Sequence, residues 1–189
     1  MLPLMTAEEF VDQRFDLPET GQWSELEQGI LKNFQPPDVD HGNVVRNLSR
    51  LLGQYVQSGG AGYACFDLGI AVHRRPDTLR FPAACYFLDG PRFGEADKSY
   101  TDKPPALVVE LASTNDRRRG ITDRVLGYLE FGTRIVWVID PKEKCVHLCA
   151  RGEKPTLLST GMTLHGDPVL PGFRIPIHEL FAEPDWWKG

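Results

Sequence analysis

Apolar positions along the chain follow two periods. Over 40–57 (DHGNVVRNLSRLLGQYVQ), Val44, Leu48, Leu51, Leu52 and Tyr55 recur at helical steps and define one face. Asp40 or Asn43 is placed to cap that helix, and Gly59-Gly60 stops it. A second helical pattern covers 121–132 (ITDRVLGYLEFG). Val125, Leu126 and Leu129 form its inner face, Thr122 is its cap and Gly132 closes it. A short helix over 7–14 follows from a capping box, with Thr6 as N-cap and Glu9 three positions on. WSELEQGILKNF (23–34) reads as strand, turn at Gly29, and strand, ended by Pro36-Pro37. GYACFDLGIAV (62–72) and LRFPAACYFL (79–88) are strand-like, with a turn at Arg75-Pro76-Asp77 between them and Pro82 interrupting the second. After a loop over 89–104 comes PALVVELAS (105–113), a continuous apolar run suited to a central strand covered on both faces. RIVWVID (134–140) is another buried strand, and KCVHLCAR (144–151) is its hairpin partner. The 170–181 stretch carries a turn, a short strand and a final helical turn.

This order predicts an α/β (α+β) fold, a mixed central sheet flanked by helices, with an N-terminal helix and hairpin. The 189 residues suit a single domain over 1–189, in which 1–22 is the leading helix and loop and 182–189 a tail.

Composition narrows the function classes. At 41% hydrophobic and 25% charged, the chain is an ordinary globular sequence. No apolar run approaches the roughly 20 residues of a membrane span. The start, MLPLMTAEEF, lacks the basic and apolar regions of a signal peptide, so a cytoplasmic location is expected. The net charge of −5 argues against broad, charge-driven nucleic-acid binding. Local basic clusters remain at His73-Arg74-Arg75 and at Arg117, Arg118 and Arg119. Cys65, Cys85, Cys145 and Cys149 form no CxxC pair and read as packed free thiols. Trp186 and Trp187 near the end are candidates either for a homodimer surface or for packing on their own domain.

One residue breaks the apolar pattern. Glu110 sits inside ALVVELAST, where a buried acid needs a partner. Walker A, GxGxxG, GxSxG and HExxH motifs are absent.

What remains is a strand carboxylate followed by a basic stretch and a helix, ELASTNDRRRGITDRVLGYLEFGTRIVWVIDP. This block resembles the Uma-type restriction-endonuclease-like family, a group of unknown function within the PD-(D/E)XK nuclease superfamily. Other pieces agree in order and spacing: the early hairpin Trp23 to Gly29, His41 ahead of the long helix, Pro105 to Arg119, VWVIDP, and the closing Leu170-Pro171-Gly172-Phe173 and Leu180-Phe181. The resemblance implies a restriction-endonuclease-like core and Mg²⁺-dependent phosphodiester hydrolysis. In such a site strand carboxylates hold the ion, which polarises the phosphate and activates water, while a lysine offsets transition-state charge.

By that resemblance Glu110 matches the metal-binding acid of the second strand, and Glu25 matches the acid of the early hairpin. The first metal-binding Asp belongs to a PD step, where this chain has Pro82-Ala83. A lysine two positions after the acid is replaced by Ala112, and the family's helix lysine, four residues before Tyr128, is Arg124. Ala83 cannot ligate, and a guanidinium is not a compact ammonium. Two readings of the site follow: a degenerate nuclease-like protein that binds or associates, and an active endonuclease with a substitute carboxylate from Glu25, Glu27, Asp67 or Asp77; apart from both stands an unrelated role on this scaffold, such as protein interaction. In the first, a Glu110–Arg124 ion pair is expected in place of the metal. In both, Arg117, Arg118 and Arg119 are candidates for nucleic-acid backbone contact, with a solvated loop as the alternative.

Overall fold

The structure, a computed structural model, describes residues 4–187. Helix α1 (Ala7–Gln13) starts with the expected capping box: Thr6 and Glu9 satisfy each other's backbone N–H. The hairpin β1 (Ser24–Glu27) and β2 (Ile30–Asn33) turns at Gly29, whose φ of +76° suits glycine. The long helix α2 (Val39–Gln57) begins one residue before the expected start and is capped by Asp38 rather than Asp40 or Asn43. Asn43 instead joins Asn47 in donating to the carbonyl of Ala182, which ties the C-terminal segment to the helix.

The segments 62–72 and 79–88 each divide into two strands. β3 (Tyr63–Cys65) and β4 (Gly69–His73) are separated by Asp67, which takes a φ of 54°. β5 (Thr78–Arg80) and β6 (Ala84–Phe87) are separated by Pro82, which has no N–H to give a ladder. β4 pairs with β5, but β3 pairs with β6 in a different sheet. One hairpin therefore splays at its base and feeds two sheets.

The first sheet has the order β2-β1-β5-β4-β7, with β7 at Tyr100–Thr101. The second uses β8 (Leu107–Leu111), β9 (Ile135–Asp140), β10 (Cys145–Ala150) and β11 (Thr156–Ser159), in the order β11-β10-β9-β8-β6-β3. It is mixed, because β8 and β9 run parallel while its other pairs are antiparallel. The parallel step is bridged by α3 (Asn115–Arg119) and α4 (Ile121–Phe131). β12 (Thr163–His165) and β13 (Arg174–Pro176) form a separate ribbon. The expected hairpin of β9 with β10 is present. β7, α3, β11 and β12 were not expected from the sequence, and α4 has no side-chain N-cap, contrary to the role given to Thr122.

β8 is covered on both faces. Leu107, Val109 and Leu111 join the core formed with α2 and the C-terminal segment, while Val108 joins a second core under α4 with Tyr128 and Leu129. Alternation along a strand puts Glu110 on the α4 side. The four cysteines are free and buried. Trp186 is 74% exposed and stacks edge-on only against Trp187 among the ring contacts found. No described helix is long and apolar enough to cross a membrane.

Candidate functional site

Glu25 and Glu110 come from different sheets and meet at one guanidinium. β1 buries Ser24, Glu25 and Leu26 in succession: Leu26 packs with Ala7 and Phe10 of α1, while Glu25 meets Arg124 of α4 and Arg117 of α3. Glu110 is 1% exposed and Glu25 3%. α4 carries Arg124 inward between them. Its Nε and Nη2 donate to Glu110 Oε1 at 3.0 and 2.6 Å, and its Nη1 and Nη2 donate to Glu25 Oε2 and Oε1 at 2.5 and 2.9 Å. Glu25 Oε1 also accepts the backbone N–H of Phe81 at 2.9 Å, at the point where the hairpin splays.

One turn along α4, Tyr128 donates its hydroxyl to Glu110 Oε1 at 2.6 Å. The ring of Phe34 lies beneath two guanidinium groups, 4.4 Å from Arg117 and 5.6 Å from Arg124. Arg80 fastens the helix from below, donating to the carbonyl oxygen of Arg124 at 3.1 Å.

The electrostatics follow from this geometry. Burial raises the Glu25 carboxyl pKa, but Arg124 and then Arg117 outweigh it, and the net shift is downward. Burial opposes the Arg124 charge, yet Glu110 and Glu25 hold its pKa well above the ordinary range. Tyr128 is pushed far up by burial and by Glu110, so it remains a hydroxyl donor.

A cleft of about 500 Å³ opens beside this cluster, where β3 parts from β4 and β5 from β6. Phe66, Asp67, Phe81, Pro82 and Ala83 line it from the splayed hairpin, and Glu110 and Arg117 line it from the cluster. His41 faces it from α2, with Nδ1 2.7 Å from Ser113 Oγ and its ring edge-on to Trp23. Burial, then Arg117, lower the His41 pKa to about 4, so the imidazole is neutral at pH 7.

The sequence candidates separate accordingly. Glu110, Arg124 and Glu25 come together. Arg117 does not lie in a solvated loop: it is on α3, buried, with Nη1 3.9 Å from both Glu25 Oε1 and Glu110 Oε2. Arg118 is also drawn off, forked onto Asp140 at 2.9 and 3.0 Å. Arg119 alone of the three is exposed.

Asp77 anchors the N-terminal region, accepting from Ala7 N and from Arg74 at 2.8 Å each. Glu27 pairs with Lys32 at 2.8 Å. Asp67 lines the cleft, but its carboxylate is held by Arg14 at 2.7 Å. Among the described residues, no group of three or more His, Cys, Asp or Glu is arranged to hold a metal. Two functional groups escaped the sequence reading: the Tyr128 hydroxyl, signalled by its i+4 spacing from Arg124, and Phe34, for which the sequence carries no signal.

No curated protein matches the chain. A solved structure from Anabaena variabilis, described as a "putative nuclease belonging to DUF820", is similar over 94% of this chain and 97% of its own, with a TM-score of 0.76 and 20% identity. That likeness shows a shared restriction-endonuclease-like α+β fold. The model of the Uma2 family, described as "Putative restriction endonuclease", matches residues 7–178. The chain with its Glu25–Arg124–Glu110 cluster thus belongs to the Uma2 family of restriction-endonuclease-like proteins.

Proposed function

We propose that this chain is a catalytically silent member of its family, one that acts by binding in the cleft and does not hydrolyse phosphodiester bonds. The observation that carries the reading is the Arg124 fork, which takes up both oxygens of Glu25 and one of Glu110. Mg²⁺ asks for near-octahedral oxygen ligands at about 2.0–2.1 Å and for carboxylates free to supply them. Here the two acids already have a cation between them, and the side chain of Ala83 offers no oxygen. The donor set does not fit a PD-(D/E)XK metal centre.

The second reading, an Mg²⁺-dependent endonuclease with a substitute carboxylate, draws on Asp67, which lines the same cleft as Glu110. It requires Asp67 to leave Arg14 and Glu110 to leave Arg124. In either reading nucleic acid is the substrate or ligand class the family suggests, and Arg119 is the exposed candidate for backbone contact.

Calorimetric titration with Mg²⁺ and Mn²⁺, alongside cleavage of labelled DNA and RNA, separates the two. The silent reading expects no metal-binding heat and no cleavage above a protein-free control. Metal binding that disappears in Glu110→Ala, accompanied by cleavage, establishes the active enzyme instead.

A further inference from the structure

Arg117 has a buried donor that the protein does not satisfy. A guanidinium carries five N–H donors and no acceptor. Arg117 is 5% exposed, and its Nε has no hydrogen-bond partner among the described residues. Its Nη1 lies 3.9 Å from the nearest oxygens of Glu25 and Glu110, near enough for charge attraction and too far for a hydrogen bond. Two carboxylates and two guanidinium groups balance in this quartet, so the unmet need is hydrogen bonding. Leaving such donors unpaired is costly. The partner expected is a group rich in acceptor oxygens, and the planar fork matches a carboxylate or phosphate.

The cleft that Arg117 lines has room for such a group. Its volume, about 500 Å³, falls in the range of small-ligand sites. Aromatic walls come from Phe15, Trp23, Phe66 and Phe81, and Phe15 is 75% exposed at the edge. Asp38, Asp67 and Glu110 share the cleft with Arg14, Arg117 and a neutral His41, and Arg14 is matched by Asp67, so a chain of phosphates meets no run of cations there and a single oxyanion would depend on hydrogen bonds from Arg117. The chain's net charge of −5 disfavours one as well.

We propose that the cleft binds a small oxyanion with an aromatic body, a carboxylate or phosphate monoester, whose oxygens accept hydrogen bonds from Arg117. The proposal rests on the reading above in taking the cleft as a binding site, and it names the ligand class. It does not require that the protein be unable to cleave nucleic acid.

The test uses the full chain in EDTA, so that its outcome is independent of metal-supported cleavage. Phenyl phosphate and benzoate are titrated calorimetrically, with inorganic phosphate and a short single-stranded oligonucleotide as comparators. At least one aromatic oxyanion is expected to bind more tightly than inorganic phosphate. Arg117→Gln is expected to weaken that binding about tenfold or more, the loss of one charge-assisted hydrogen bond.

Gly42→Phe is a second variant that leaves Arg117 in place. Gly42 lines the cleft from α2, and a Cβ there meets nothing within 4 Å, so the ring fills the cleft without distorting the helix. It is expected to abolish binding. The proposal is overturned by absence of binding to both aromatic probes, by binding unchanged in either variant, or by Arg117-dependent binding of the oligonucleotide that exceeds that of the small probes.

Discussion

Arg124 sets two N–H groups against a single oxygen of Glu110, Oε1, at 3.0 and 2.6 Å. Tyr128 adds a third donor to the same atom. Among the described residues, the other oxygen, Oε2, has the more distant Arg117 guanidinium, at 3.9 Å, and no hydrogen-bond donor. The carboxylate is thus saturated on the side facing the helix and under-coordinated on the side facing Arg117.

Removing the cation from this arrangement strands two buried acids. Arg124→Met is expected to destabilise the fold by about 3–5 kcal/mol, the usual cost of breaking a buried ion cluster from one side. Tyr128→Phe removes one of three donors to Oε1 and should cost about 1–2 kcal/mol. Urea denaturation checks both, and the reverse order of severity would contradict the central place given to Arg124.

Acid should weaken the protein in two windows. The folded-state pKa of His41, about 4, lies below its ordinary value near 6.5, so its contribution is full above about 6.5 and is lost as pH falls toward 4. The Glu25 pKa is also lowered, so its contribution is full above about 4.3 and is lost as pH falls through the lower folded value. His41→Asn should flatten only the upper window. Chemical denaturation at a series of pH values from neutrality downward reads both, and an unchanged upper window in His41→Asn counts against the buried neutral imidazole.

Ala83→Asp combined with Arg124→Lys introduces the acid and lysine that the sequence resemblance assigns to these two positions. On the silent reading, the double variant is expected to acquire Mg²⁺ or Mn²⁺ binding measurable by calorimetry and the wild-type protein to give no such signal. If it acquires none, Ala83 does not occupy the acid position assigned to it.

Arg118 and Asp140 form a partly exposed pair, yet the two side chains are unequal. Asp140 also accepts the backbone N–H groups of Lys142 and Glu143 at 2.9 and 3.1 Å, so it shapes the turn after β9. Arg118→Ala is expected to cost under about 1 kcal/mol, and Asp140→Ala about 1–3 kcal/mol. Thermal melts of the two variants give the ranking.

Much of the site was legible in the sequence because its members are local anomalies. Glu110 interrupts an apolar run, and Arg124 stands where the sequence resemblance leads one to expect lysine. Glu25 was found through the hairpin that carries it. The burial of Arg117 was not legible because three consecutive arginines look solvated; α3 turns each in a different direction, and Phe34, far away in sequence, supplies the ring over which Arg117 is buried.

Strand identity was equally readable, but sheet membership was not. GYACFDLGIAV has the composition of one strand, and only the left-handed backbone at Asp67 sends its halves to different sheets. β11 and β12 are short and mostly exposed, and they lacked the alternation that would mark them.

The guanidinium of Arg124 joins β1 of one sheet to β8 of the other. Because it is covalently part of α4, this cross-link cannot be stripped by a chelator, exchanged for another ion or diluted away. The spacing of the two sheets therefore rests on no exchangeable ion, and it answers to forces that move the helix or protonate the acids it holds.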